Sequence, residues 1–341
     1  MLNEGYKALQ VEAWGFSPMN SRTRWKRALA LGLFAVATCA HAQAPIVRHD
    51  PSLNQDLPTQ TIRTQSRLVN VALNVADEKG APVGGLTRDD FEVLEDGKPQ
   101  KIAFFDKEST TPLSIVMAID TSGSLLRDEH LEKEAAKKFV RALLRDQDEL
   151  DLMEFSDTVH EIVSFTGDKK RIEEGLNQLE RGSATAVFDA IYLASDRLAT
   201  TSEAAGRRRV LVMITDGGDT VKNGTRYPQA IERAQRAGVM VYSLIVVPIW
   251  ADAGRNTGGE HALIQMADDT GGKYYYVQDA KDLAPAYAKV SEDLRTQYTV
   301  GYYAPDHGHD DSLRTIKIRM KDPALRGKYT LRYRTGYYAK R

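Results

Sequence analysis

The chain has 341 residues, which is enough for about two domains of ordinary size. Its 46 Lys and Arg residues against 47 Asp and Glu residues give a formal charge of -1, too even a balance for a protein that binds nucleic acid through a basic surface. A hydrophobic fraction of 42% excludes a largely disordered chain, and the single Cys excludes an intrachain disulfide or a Cys-based zinc cluster.

Residues 1–42 have the pattern of a secretory signal peptide. A basic cluster at 22–27 precedes the apolar stretch Ala28–Ala37, and Ala40-His41-Ala42 has the small residues of a cleavage site. The apolar stretch is shorter than the roughly 20 residues of a membrane span, so we expect no transmembrane segment in the mature chain. Met19 is an alternative start, and a lipoprotein signal ending at Cys39 is an alternative to cleavage after Ala42. The segment predicts an exported protein, whether periplasmic, cell-surface or secreted.

The mature chain begins with a linker and a group of strands. Residues 43–60 carry three Pro residues among polar ones and are typical of a linker, and residues 61–110 then show the alternation of β-strands. Apolar residues alternate from Leu68 to Val75, and Phe91–Leu94 forms a second strand. Because a Glu-Asp-Gly-Lys turn follows that strand, we expect Lys101–Phe105 to be its hairpin partner.

The C-terminal region, residues 297–341, has the same character. Strands are predicted at Tyr298–Tyr303, Thr315–Met320 and Tyr329–Tyr333, separated by polar loops. About three strands on either flank are marginal for independent stability. We therefore expect the two flanks to pair into one β-sandwich that brings the ends of the central region together.

Strands and helices alternate through the central region, residues 112–296. Ser114–Ile119 is a continuous apolar run of the kind that is buried in a parallel sheet, and Leu125–Leu144 repeats apolar residues at helical spacing. Further strands are predicted at Val210–Thr215, Val239–Val247 and Lys273–Val277. Repeated strand–helix units predict an α/β fold with a doubly wound, mostly parallel sheet and helices on both faces, similar to a Rossmann fold.

Polar residues follow two of these strands at the sheet edge where ligands bind in such folds. Asp120, Ser122 and Ser124 come directly after the first strand, and Asp216 follows the strand Val210–Thr215. Thr185 stands between them at the start of a helix. Two carboxylates and three hydroxyls form an all-oxygen set, which suits Mg²⁺ and, among related ions, Mn²⁺ or Ca²⁺. The alternative is that Asp120 and Ser122 only cap the helix that follows them.

The pattern Asp120-x-Ser122-x-Ser124, then Thr185, then Asp216 resembles the metal-ion-dependent adhesion site (MIDAS) of the von Willebrand factor type A (VWFA) domain, with no position missing. The resemblance covers residues 112–296. The flanking segments, including the Glu-Asp-Gly-Lys turn, look like the bacterial VWFA-related family of exported proteins.

The resemblance implies a role for each residue of the motif. Ser122, Ser124 and Thr185 would supply hydroxyl ligands, whereas Asp120 and Asp216 would act directly or through water. The coordination position left open would take an acidic side chain, Asp or Glu, from a partner protein.

Several functions remain open from the sequence. The first is an exported, non-enzymatic adhesion or protein-binding module that depends on a divalent cation. The alternatives are a structural subunit of an envelope assembly and a metal-assisted hydrolase, although the sequence supports no general base beside the metal. Asp219, on the loop after Asp216, either tunes the metal and contacts the partner or is a solvated loop residue.

Overall fold

Fourteen strands and six helices form the part of the chain that the computed structural model describes, which is residues 67–106, 111–122, 129–201, 206–247, 256–306 and 310–339. The predicted signal peptide and linker lie outside these residues and stay predictions. None of the helices in the described ranges is long and apolar enough to cross a lipid bilayer.

The N-terminal strands are β1 (Arg67–Ala76), β2 (Phe91–Glu95), β3 (Lys98–Gln100) and β4 (Ile102–Asp106). The central region contains β5 (Leu113–Asp120), α1 (Glu129–Leu143), β6 (Glu149–Phe155), β7 (Val159–Thr166), α2 (Lys169–Leu176), α3 (Val187–Thr201), β8 (Arg208–Thr215), α4 (Tyr227–Ala237), β9 (Val239–Val246), α5 (Thr257–Thr270), β10 (Lys273–Val277) and α6 (Ala280–Arg295). The C-terminal strands are β11 (Tyr298–Ala304), β12 (Leu313–Met320), β13 (Thr330–Arg332) and β14 (Gly336–Tyr338).

The central strands form a six-stranded sheet in the order β10-β9-β8-β5-β6-β7. All neighbours are parallel except β6 and β7, which form an antiparallel hairpin. All eight residues of β5 are buried, as expected for an apolar run in the middle of such a sheet. The chain leaves β5 toward β6 on one side and reaches β8 later on the other, so the strand order reverses at the carboxyl ends of β5 and β8. This is where an open α/β sheet forms its ligand-binding crevice.

Helices cover both faces of this sheet, and alternate residues of each strand serve the two layers. Ile115 and Met117 of β5 pack in the layer of α1, α2 and α6, whereas Val116 and Ala118 pack in the layer of α3, α4 and α5. The predicted α/β fold class is therefore confirmed.

The flanking strands form two four-stranded sheets, ordered β13-β1-β11-β4 and β14-β12-β2-β3. Each joins N-terminal to C-terminal strands, because β1 is antiparallel to β11 and β2 is antiparallel to β12. Their facing side chains share one apolar core, which includes Val71, Val93, Val300 and Ile318. The sandwich built from both ends of the chain, predicted as part of the fold, is present.

The predicted hairpin partner of β2 is wrong. β2 pairs with β3, across a turn in which Asp96 and Gly97 have φ values of 47° and 78°, whereas β4 pairs with β11 in the other sheet. β3 contains Pro99, and Pro has a low propensity for strands, so the sequence did not predict a strand there. The Pro is tolerated because β3 is an edge strand. The chain then crosses from one sheet of the sandwich to the other between β3 and β4.

Candidate metal centre

Asp120 is the last residue of β5, and its side chain is almost fully buried at the sheet edge. The backbone N–H of Ser122 donates to Oδ1 at 2.9 Å, and the hydroxyl of Thr215 donates to Oδ2 at 2.7 Å. Burial raises the pKa of Asp120 to about 6, and the nearby Asp216 carboxylate adds to this, whereas the hydrogen bonds from Ser122 and Thr215 oppose it. Negative charge on Asp120 is thus less favourable than on an exposed Asp, and a cation beside it would offset this difference.

Asp216 follows β8 on a loop that is shaped by glycines. Gly217 has φ of 82°, which favours Gly, and its N–H donates to the Thr215 hydroxyl at 3.1 Å. The N–H of Gly218 donates to Asp216 Oδ1 at 2.9 Å and fixes that carboxylate. A Cβ on Gly259 would lie 1.6 Å from the Gly217 carbonyl oxygen, so the start of α5 and this loop are in close contact.

The segment before α3 brings Thr185 to the same edge. Ser122 and Gly182 form a parallel β-bridge, in which the N–H of Gly182 donates to the Thr121 carbonyl at 3.0 Å. The N–H of Thr185 donates to Oγ1 of Thr220 at 2.9 Å, and the N–H of Thr220 donates to the Thr185 carbonyl at the same distance. These contacts join the segments that follow β5 and β8 to the segment that carries Thr185.

Asp157 holds the other side of that segment. Its carboxylate, at the turn between β6 and β7, accepts from the N–H of Ala184 and from the hydroxyl of Ser183. Asp189 in α3 accepts from the N–H of Thr225 at 2.7 Å and anchors the far end of the loop after β8. The site is therefore built on short loops that neighbouring carboxylates and hydroxyls hold in place.

Four of the five predicted site residues, Asp120, Ser122, Thr185 and Asp216, lie on segments that meet at one edge of the sheet. Ser124 lies outside the described residues. The donors suit a hard divalent cation, because they are all oxygen atoms and because two carboxylates repel each other across a buried site. No cluster of three or more His, Cys, Asp or Glu residues able to hold a metal occurs in the described ranges, so a metal here depends on the hydroxyls.

The sequence did not single out Thr215, Thr220 or Asp157, although each fixes part of this site. Thr215 ends the apolar run of its strand. A polar residue at the carboxyl end of a buried strand is the signal that could have identified Thr215 as part of the site. Asp219 is half-buried rather than solvated, and it accepts hydrogen bonds from the backbone N–H groups of Val187 and Phe188 at the start of α3. Burial raises the pKa of Asp219, and its contacts are those of a helix cap.

Comparison with solved structures found matches at low sequence identity. A von Willebrand factor type A protein from Catenulispora acidiphila is 12% identical, with 81% of this chain and 74% of that chain covered at a TM-score of 0.48. The conserved hypothetical protein BatB from Bacteroides thetaiotaomicron is 21% identical, with 53% of this chain and 99% of that chain covered at a TM-score of 0.40. Proximal thread matrix protein 1 from the mussel byssus, described with a zinc-occupied MIDAS motif, is 15% identical. The match covers 55% of this chain and 49% of that chain at a TM-score of 0.44.

The comparison with curated proteins gave no match. Among protein families, the model of the von Willebrand factor type A domain matches residues 114–289, which is more than half of the chain. This range contains the six-stranded sheet, except for Leu113 at the start of β5, and it contains Asp120 and Asp216. The chain therefore belongs to the von Willebrand factor type A domain family.

Proposed function

We propose that this protein is an exported binding module that holds a divalent cation, with Mg²⁺ as the leading candidate. The residues that would hold the cation are Asp120, Ser122, Ser124, Thr185 and Asp216. The cation would hold an acidic side chain of a partner protein. The observation that carries the proposal is the meeting of two carboxylates with buried hydroxyls at the reversal point of the sheet, where burial and Asp216 raise the pKa of Asp120.

The ligand chemistry favours binding over catalysis. Hydroxyl ligands are neutral, so an ion bound directly by Ser122, Ser124 and Thr185, with Asp120 and Asp216 acting through water, would keep positive charge at a position left open. A carboxylate from a partner is a hard oxygen ligand that suits such a position. The role proposed is thus recognition, and no reaction step is assigned to the site.

Export is part of the proposal and rests on the sequence pattern of residues 1–42. It is compatible with a mature chain that has no Cys after cleavage at Ala42, since such a chain needs no disulfide to fold outside the reducing cytosol. Mass spectrometry of the exported protein tests this part directly. An exported chain that retains Met1 would contradict the signal peptide.

Metal binding is tested by titrating the purified protein with Mg²⁺, Mn²⁺, Ca²⁺ and Zn²⁺ while following thermal unfolding. A ligand at one hundred times its Kd stabilises the folded state by about 2.7 kcal/mol, so a single site gives a clear rise in Tm. Asp120→Asn and Thr185→Ala should lose this rise. The matched control Asp196→Asn removes a carboxylate from a surface ion pair with Arg233 and should keep it.

Partner recognition is tested by capture from an envelope extract with and without EDTA. The proposal expects capture that needs the cation, is lost in Asp120→Asn, and weakens as the pH falls toward the carboxylate pKa of about 4. Capture that EDTA leaves unchanged would indicate a structural subunit instead. Turnover of a phosphoester or peptide panel that needs the cation would indicate a hydrolase.

A further inference from the structure

A cleft of about 450 Å³ lies at the opposite end of the central sheet from the candidate metal centre. It opens between the outer face of the β13-β1-β11-β4 sheet and the points where β8 and β9 begin, and Arg208, Gly238 and Met240 are among its lining residues. β8 runs from Arg208 in the cleft to Thr215, which precedes Asp216, so seven residue steps of about 3.3 Å separate its two ends by roughly 23 Å.

One wall of the cleft is cationic. Its lining includes Arg207, Arg208, Arg209 and Arg334, and no Asp or Glu among the described residues. Arg207 is paired with Glu149 at 3.3 Å. Arg208 and Arg334 are held by neutral oxygen atoms instead, and neither makes an ion pair with an acidic side chain in the described ranges.

The direct contacts of these two arginines are with neutral groups, although the Asp148 carboxylate also acts on Arg208 and Arg334 lies 5.6 Å from the centre of the Tyr337 ring. Arg208 donates to the carbonyl of Leu294 at 3.0 Å, near the C-terminus of α6, and to the side chain of Gln297. Arg334 donates to the carbonyl of Asn70 at 2.7 Å. Each keeps a buried Nε–H for which the described residues offer no acceptor. Burial lowers the pKa of Arg208 to about 10, against the opposing effect of the Asp148 carboxylate, and burial also lowers the pKa of Arg334.

The facing wall is apolar and exposed. Leu68 of β1 is 43% exposed and Phe104 of β4 is 47% exposed, although both are large hydrophobic residues. They stand on the outer face of the sandwich and line the cleft together with Ala72. A free inorganic anion would make no use of this wall, whereas a peptide with acidic and apolar side chains would contact both walls.

We propose that the cleft is a second binding site, which holds an acidic peptide segment of a partner protein. A carboxylate of the segment would pair with Arg208 and Arg334, and an adjacent aliphatic or aromatic side chain would pack on Leu68 and Phe104. Arginine is suited to this because its planar guanidinium pairs with carboxylates through two hydrogen bonds. The site is independent of the metal centre.

The test uses fluorescence anisotropy with two pools of labelled ten-residue peptides on the full mature chain. In the first pool Asp or Glu alternates with Leu or Phe, and in the second Asn or Gln replaces the acidic residues. We expect the acidic pool to bind at least about tenfold more tightly than the neutral pool. Because truncating a central contact commonly costs severalfold in affinity, Phe104→Ala and Arg334→Gln should each weaken binding about fivefold or more.

Two controls check that the peptide binds in this cleft and not elsewhere on the protein. Arg319→Gln removes an arginine from the other sheet of the sandwich, where it pairs with Glu92 at 2.6 Å, and it should leave binding unchanged. EDTA and Asp120→Asn should also leave it unchanged, so failure of the metal proposal and failure of this one are distinguishable. Phe104 is exposed, so Phe104→Ala remains informative if Arg334→Gln does not fold.

Three results would overturn the proposal. The first is equal binding, or no binding, of the two pools. The second is loss of binding in EDTA, which would assign the peptide to the metal centre. The third is binding of inorganic phosphate, measured by calorimetry, without binding of either peptide pool, which would indicate that the cleft holds a free anion.

Discussion

Replacing Thr215 by Val removes one hydroxyl from beneath the candidate metal centre while keeping the shape of the side chain. That hydroxyl donates to Asp120 at 2.7 Å and accepts from the N–H of Gly217 at 3.1 Å. The substitution therefore removes a donor that orients one proposed ligand and an acceptor that fixes the loop carrying another. We expect weaker metal binding together with lower stability.

The size of both effects follows from these two contacts. A buried N–H left without an acceptor costs about 1–3 kcal/mol, so the metal-free Thr215→Val protein should unfold about 2 kcal/mol more easily than the wild type. A lost contact to a metal ligand typically lowers metal affinity by about 10- to 100-fold, and we expect a magnesium Kd raised by that factor. Thr215→Ser keeps the hydroxyl and should recover most of the affinity.

Calorimetric titration with Mg²⁺ and urea unfolding in EDTA measure the two quantities separately. The control is Thr200→Val, since Thr200 is exposed and, among the described residues, its hydroxyl donates only to backbone carbonyls of its own helix. That variant should change stability by less than about 0.5 kcal/mol and leave affinity unaltered. A folded Thr215→Val protein whose magnesium Kd stays within about twofold of the wild type would refute the orienting role.

Asp148→Asn should lower the free energy of unfolding in urea by about 3–5 kcal/mol. Asp148 is buried, pairs with Arg295 at 2.7 Å and accepts hydrogen bonds from two backbone N–H groups. A loss of stability below about 1 kcal/mol would contradict this prediction. Burial, with the neighbouring Glu161 carboxylate, raises the pKa of Asp151 to about 8, so the folded state holds a proton that the unfolded state has released, and stability is lost as the pH rises from about 5 to 8. The expected loss over this range is about 4 kcal/mol, and Asp151→Asn should flatten it; a variant whose stability falls with pH in parallel with the wild type would contradict the assignment to Asp151. Gly259→Ala forces a Cβ against the loop after β8 and should lower both Tm and magnesium affinity; a variant that matches the wild type in both would show that the loop can shift freely.

The main residues of the candidate site could be predicted because they follow a spaced motif at strand ends. Asp120 and Asp216 stand directly after apolar runs, and the topology of a parallel sheet places such residues together. Thr220 and Asp157 were not predictable in this way. They act through backbone N–H groups of distant loops, and no local pattern in the sequence records which loop lies beside which.

The strands of the sandwich were mostly predictable, but their pairing was only partly so. Alternation located β1, β2, β11 and β12, since one face of each strand is apolar. The pairing of β3 and β4 failed because Pro99 masks a short edge strand, and because alternation does not tell which of two sheets a strand joins. The cationic cleft was also missed, since Arg334 reaches it from a point 264 residues along the chain from Asn70.

Building the sandwich from both flanks has a consequence for the order in which the chain acquires structure. The Tyr337 hydroxyl donates to Glu95 across 242 residues, and apart from the β2–β3 hairpin the N-terminal strands have no partner until β11 and the strands after it have been synthesised. Closing so long a loop in an unfolded chain is entropically costly and slow. Once the central domain has folded, the start of β5 and the end of α6 are already neighbours, because Arg295 binds Asp148 and Asp148 binds Leu113. We therefore expect the central domain to fold first and to bring the two flanks together, so that the sandwich forms last.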